Sequence, residues 1–236
     1  LIHYKHFLFG SQTSGESYNY VDVGVFFNTL LIAILITLIN LCFCYPIAFY
    51  IAKVASPNTA RLLIVSLIIP FWINELLRSF ALRILFAGEG FINNVLLKLG
   101  LIDNGINFIA MDVALYTGLN YAYILLMIFP LYNAMDTLDK NQLEAAEDLG
   151  SSMLKTHFRI VIPHAKAGIA SGCTMVFMLT AGALATPVVL SRPHPFWFTP
   201  LIYQRFNMNY NWPCVVAYSV FFLFVYALFV LFSLIC

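Results

Sequence analysis

Thirty consecutive residues between Asp22 and Lys53 carry no charge, and the pattern recurs: 23 between Asp112 and Asp136, 25 between Lys166 and Arg192, and 31 after Arg205. Crossing about 30 Å of hydrocarbon takes roughly 20 apolar residues in a helix, because lipid offers backbone N–H and C=O groups no partner. Four such runs in 236 residues predict an all-α, polytopic helical bundle whose solvent is the membrane. A fifth span is expected from Arg61 to about Phe86, apolar as far as Asn74 and then carrying Glu75, Arg78 and Arg83 within it. A water-soluble globule is excluded, since 10% of residues are charged against about 25% in an ordinary soluble domain. Twelve Lys and Arg against eleven Asp and Glu leave no basic field for nucleic acid. The five cysteines sit mostly in apolar runs and read as small buried hydrophobes, not as a disulfide framework.

Lys and Arg in short loops are retained on the cytoplasmic side of a membrane. The link from Asp136 to Lys166 holds Lys140, Lys155, Arg159 and Lys166, and the turn from Lys53 to Arg61 holds two more, so both are expected inside. Alternation then places residues 1 to about 21, 87 to 112 and 192 to 212 outside. An outside start, on Leu1 rather than Met, implies an earlier span before residue 1 and a longer parent polypeptide, as does an end at Cys236 within an apolar run. Residues 1–236 are expected to form a single transmembrane domain. In the outer stretch Gly90 to Leu99, the helical spacing of Phe91, Val95 and Leu99 suggests a helix flat on the interface, before a turn from Gly100 to Gly105. Asp112 is placed to cap the next span.

The link from Asp136 to Lys166 has room for two further helices. Asp139 can cap the first, with Gln142 completing a capping box, and Gly150 can end it in the left-handed conformation. The second is expected to start at Ser151 or Ser152 and to stop at Pro163, which cannot donate the helical hydrogen bond. Leu154, Phe158 and Val161 share a face at helical spacing, beside a basic ridge of Lys155 and Arg159. Two short helices so arranged make a rigid knob shaped to dock on a partner.

The knob reads Glu144-Ala145-Ala146, three residues, Gly150, nine residues, Ile160, one residue, Ile162-Pro163. This resembles the EAA loop of ABC importer permeases, with Ile162 for the usual Leu as the one departure. The resemblance implies a permease bundle of the type I importer kind whose loop, residues 136–166, docks in a groove on a cytoplasmic ATPase. Glu144, Ala145, Ala146, Gly150, Arg159, Ile160 and Pro163 are then the coupling residues. The stretches Ile68 to Arg83, Gly88 to Gly100, Thr186 to Leu190, Leu201 to Gln204 and Asn211 to Pro213 are similar to the spermidine/putrescine permeases of the PotB type. That branch often has Asp at the place of Asn211 and is Gly-rich where this chain has Arg192-Pro193-His194-Pro195. The similarity implies an inner-membrane protein with six spans and a polyamine cargo, or another small solute handled by a related permease. It also implies a second permease (PotC-like), two ATPase subunits (PotA-like) and an extracytoplasmic solute-binding protein (PotD-like). ATP and Mg would be bound by the ATPase, and no cofactor is expected in this chain.

A charge at membrane depth costs about 2.5 to 3.5 kcal/mol on insertion scales, so each needs a partner or a wet cavity. Glu75 and Arg78, at i and i+3, face the same way on a helix. Either they form a structural ion pair near the outer interface, or Glu75 lines the path and attracts a cationic solute. Trp72, Tyr121 and Tyr123 are candidates for binding ammonium over a ring face. The aromatic belt at membrane surfaces also explains Trp72, and accounts for Trp197, Tyr203, Tyr210 and Trp212. Neither His157 with His164 nor His3 with His6 makes a metal site. Cys42 and Cys44 should point to different faces of one helix. Gly168 and Gly172 mark close helix packing, within the subunit or with a second permease. No G-x-x-x-x-G-K-[ST] occurs, so ATP hydrolysis has to come from a partner and the chain is expected to be no enzyme itself. A secondary transporter or channel would need more intramembrane acids than Glu75, or a repeat with broken helices. A membrane enzyme would need paired acids, a nucleophile with its base, or a metal cluster.

Overall fold

The structure, a computed structural model, describes residues 20–191, 197–208 and 212–235. Every regular element among them is helical. The first helix, α1 (Tyr20–Phe49), opens with Asp22 in its first turn and passes through Pro46 into a π-helical turn, Tyr50–Val54. Ser56 caps α2 (Pro57–Ile68) by accepting from Thr59 N–H at 3.4 Å. After a tight 3₁₀ turn at Ile69–Trp72 come α3 (Glu75–Leu85) and α4 (Phe91–Lys98). The central helix is α5 (Val113–Asp136), followed by the knob helices α6 (Lys140–Asp148) and α7 (Met153–Thr156). A second π-helical turn, His157–Val161, joins α7 to α8 (Ile162–Ala181). Three helices complete the described chain: α9 (Ala185–Leu190), α10 (Phe198–Met208) and α11 (Trp212–Ile235).

Helix α5 forms the core with α1 and α8, which also pack on each other, burying Ile36, Leu119, Met127, Leu131, Met135 and Val176. Glycine sets the approach of α8: a Cβ at Gly168 would lie 2.5 Å from the Pro130 carbonyl oxygen on α5, and one at Gly172 would lie 2.9 Å from Met127 sulfur. The G-x-x-x-G therefore packs within the subunit. A second cluster, Phe26, Phe177, Phe198, Tyr218 and Phe222, binds α1, α8, α10 and α11. At its edge Asp22, almost wholly buried, pairs with Arg205 at 2.6 Å and accepts the Tyr218 hydroxyl at 2.7 Å. The outward face of α1 is apolar, with Leu31 and Phe43 about two-thirds exposed, as suits a helix whose solvent is lipid. Cys44 is buried and Cys42 exposed, on the different faces expected.

Three stretches are long and apolar enough to cross a membrane: Val21–Val54, Val113–Asp136 and Met153–Ala181. Residues 61 to 86 do not form the single helix expected. The chain bends by 91° between Pro57–Trp72 and Glu75–Leu85. Pro70 lies in the tight turn, and Asn74 starts a new helix by accepting from Leu76 N–H at 2.8 Å. Taken as one broken span, the pair is a fourth, and α11 adds a shorter apolar stretch, Val215–Leu231. The uncharged run from Lys166 to Arg192 is divided as well: α8 ends at Ala181, and α9 turns back against α3.

Between α3 and α5 the spacing of Phe91, Val95 and Leu99 marks the exposed side of α4. What pins this segment is buried Asn93, which donates to the carbonyls of Ala87 and Ile106 at 2.9 and 2.8 Å and accepts from Ile106 N–H at 2.9 Å. Asp112 stands at the N-cap of α5 in left-handed conformation (φ 58), but its side chain makes no capping hydrogen bond. Trp197 is buried in the core, not placed in a surface belt, whereas Tyr203 and Trp212 are more than half exposed. The candidate belt residue Tyr210, the histidines at 3 and 6, and Arg192 to Pro195 lie outside the described residues.

Candidate functional site

The knob is built from local signals. Asp139 caps α6 by accepting from Asn141 N–H at 3.0 Å; the reciprocal bond from Gln142 that a capping box needs is not among the described hydrogen bonds. At the other end Gly150 takes φ +72. Its N–H bonds the Glu147 carbonyl at 2.8 Å and Ser151 N–H bonds the Ala146 carbonyl at 2.9 Å, the pair of bonds that closes a Schellman motif. Thr156 then braces the reversal, donating to the Ser151 hydroxyl at 3.1 Å.

Pro163 does not stop the second helix. Met153 to Ala181 runs as one helix, with Pro163 in the first turn of α8. Proline lacks an N–H and its ring crowds the carbonyl four residues back. Here the turn just before it is π-helical, with Ile162 N–H bonded to the His157 carbonyl five residues back, so the carbonyls are re-spaced around the ring. The added residue also rotates the face. Leu154 and Phe158 stay 73% and 70% exposed, while Val161, expected beside them, is 1% exposed and packs in the core.

Of the predicted coupling residues, Glu144, Ala145, Gly150, Arg159 and Pro163 are exposed, Ala146 is buried, and Ile160 is half-buried against the core. Around them Leu149, Met153, Leu154 and Phe158 form an exposed apolar surface, with Lys155 and Arg159 beside it. Sequence reasoning missed the anchors that hold this knob to the bundle. His157 Nδ1 lies 2.8 Å from the Tyr45 hydroxyl on α1, and His164 Nε2 lies 3.0 Å from the Thr137 hydroxyl. Lys53 donates to the carbonyls of Asp136 and Leu138. The turn from Lys53 to Arg61 and the start of the knob meet in an open cleft of about 850 Å³, lined by Lys53, Arg61, Asp136, Asp139 and Lys140. The two segments assigned to one side by their basic residues thus stand at the same end of the bundle. No group able to hold a metal ion occurs among the described residues.

A second polar group lies at the bend between α2 and α3. Glu75, the first residue of α3, accepts from the Thr186 hydroxyl at 2.9 Å, and Ser79 lies 3.3 Å from the same hydroxyl. Ser79 and Thr186 are both buried. Arg78 does not pair with Glu75 within 4 Å; its guanidinium lies over the Tyr121 ring, 5.4 Å from the centroid. Of the two readings open for this pair, the local ion pair is not formed: a hydroxyl and a cation–π contact stand in its place. Tyr123 is buried on α5, two residues beyond Tyr121. Trp72 stands apart at the bend, 85% exposed. Arg83 donates to the Val189 carbonyl. No local signal could have found Thr186, because 111 residues separate it from Glu75.

Over residues 7–235 the chain matches the family described as "Binding-protein-dependent transport system inner membrane component". The chain belongs to this family. As a member it is a multi-pass inner-membrane permease, the transport subunit of an importer of the ABC type. It is similar to the spermidine/putrescine transport system permease protein PotB of Escherichia coli (strain K12), with 36% identity over 197 residues, 83% of this chain and 71% of that protein. PotB of Haemophilus influenzae is 30% identical over 203 residues, 86% of this chain and 71% of its own. The inner membrane ABC transporter permease protein YdcU of Escherichia coli (strain K12) is 24% identical over 213 residues, 86% of this chain and 68% of its own. Among solved structures, a bacterial alginate ABC transporter bound to its alginate pentasaccharide-loaded periplasmic protein has a TM-score of 0.75 at 18% identity, covering 97% of the permease and 80% of that chain. A second alginate importer structure gives 0.67 at 17% identity, covering 89% and 77%. At such identities the likeness establishes the fold.

Proposed function

We propose that this permease forms half of the translocation path of a polyamine importer and takes its driving force from an ATPase docked on the knob. The observation that carries the coupling half is the exposed surface of Leu149, Met153, Leu154 and Phe158 with its basic edge, the last three on a helix that continues to Ala181. Apolar side chains of this size facing water are a docking surface waiting for a partner. A push on that surface travels along this helix, through its π turn, into the core. The knob and the Lys53 to Arg61 turn lie in the cytoplasm, where retained Lys and Arg belong. A second permease completes the path, and a binding protein delivers cargo to the opposite end. ATP and Mg stay with the ATPase, so this chain supplies mechanics: docking energy that differs between two arrangements of the bundle shifts the population between them.

Identity to the two PotB proteins supports polyamine as cargo. The group around Glu75 supports it as well: one carboxylate held by Thr186 at the first turn of α3 suits an ammonium passing on the path. The test is a reconstituted assembly of this permease, its partner permease, the ATPase and the binding protein, offered polyamines, amino-acid derivatives and other small solutes. Spermidine or putrescine is expected to stimulate ATP hydrolysis well above the other solutes. Equal stimulation by unrelated solutes, or none by polyamines, would overturn the cargo assignment.

A further inference from the structure

The knob is tied to the bundle by a part-buried contact beside its exposed surface. His157 opens the π-helical turn below α8, with Nδ1 2.8 Å from the Tyr45 hydroxyl and its ring edge-on to Phe49 at 4.4 Å and 62°. Tyr45 and Phe49 are one turn apart on α1 and so present one face to His157. The π-helical turn of α1 begins at the next residue, Tyr50. Both long helices therefore leave α-helical spacing beside this contact: Ala55 N–H bonds the Tyr50 carbonyl at 2.8 Å, and Ile162 N–H bonds the His157 carbonyl, each five residues back. Such single π turns inside helices recur at functional positions and give a helix a place to bend. Within the α1 turn, Lys53 reaches the carbonyls of Asp136 and Leu138 at the end of α5.

We propose that His157 is a positioning residue for coupling: it passes movement of the knob through Tyr45 and Phe49 to the π turn of α1, and through Lys53 to the end of α5. The proposal rests on the knob being the docking element of the ATPase. Without the His157 contact, α8 loses a polar restraint against sliding past α1 when the knob is pushed. With it, sliding breaks a part-buried hydrogen bond and an aromatic contact, so the two helices bend together at paired weak turns.

Four variants test this in the full assembly in proteoliposomes with spermidine-loaded binding protein: Tyr45→Phe, His157→Phe, the two combined, and His157→Asn, whose amide can stand in for Nδ1. The readout is spermidine transported per ATP hydrolysed, which a loss of folded protein alone leaves unchanged. Tyr45→Phe and His157→Phe are each expected to lower that ratio about 5-fold, the weight of one neutral hydrogen bond. The combination is expected to cost no more than either, and His157→Asn to keep most of the wild-type ratio. An unchanged ratio in Tyr45→Phe, or fully additive losses in the combination, would overturn the proposal. A wild-type assembly whose ATP hydrolysis ignores the loaded binding protein would instead overturn the docking reading beneath it.

Discussion

Glu75 is held by one neighbour distant in sequence and stands at the start of the helix it begins. Its Oε1 takes the Thr186 hydroxyl, and as the first residue of α3 it faces the positive end of the helix dipole, an interaction of about 0.3 to 1 kcal/mol. Glu75→Gln keeps the hydrogen bond and loses that small term, so the amount of assembled complex should change little. If the carboxylate attracts a cation on the path, spermidine uptake per complex should fall about 10-fold, equivalent to about 1.4 kcal/mol. Equal falls in uptake and in complex would leave Glu75 a purely structural residue. Asp22 and Arg205 teach a related lesson. In the sequence they only bound uncharged runs, yet in the fold they meet at 2.6 Å with Tyr218 beside them. Their partners are hundreds of backbone atoms away, and a charge count holds no information on such pairing.

At the scale of elements, what was legible followed from chemistry within a few residues. Asp139 and Gly150 announced both ends of α6, because a capping carboxylate and a left-handed glycine act on the backbone beside them. Pro163 misled for the complementary reason. Its effect depends on the register of the turn before it, and no residue type marks a π turn in advance. That one extra residue carried the helix through proline and moved Val161 from the docking face to the core. The same reasoning fixes a test of the knob. Proline locks φ near −65°, whereas Gly150 needs +72, so Gly150→Pro must break the reversal between α6 and α7. Combined with Arg159→Glu, it is expected to cut both transport and cargo-stimulated ATPase by about 10-fold or more, while the permease stays in the membrane. Normal coupling in this variant would count heavily against the knob as the transmitting element.

For the whole molecule, the long uncharged runs were enough to give an all-helical membrane bundle, because lipid leaves the backbone few choices. They were not enough to place its breaks. The 91° bend after Trp72 and the return of α9 against α3 depend on tertiary packing, and together they bring Thr186 to Glu75. The bundle thus pairs a polar group at one break with an exposed knob at the end of a continuous helix. On the proposed reading, this helix receives force from a docked ATPase. The most direct measurement replaces Phe158, 70% exposed on the knob, with a photocrosslinking phenylalanine analogue in the assembled transporter, and identifies what it captures before and during ATP turnover. Capture of the ATPase subunit in both states is expected. Capture of lipid alone, or of no protein partner throughout turnover, would contradict the claim.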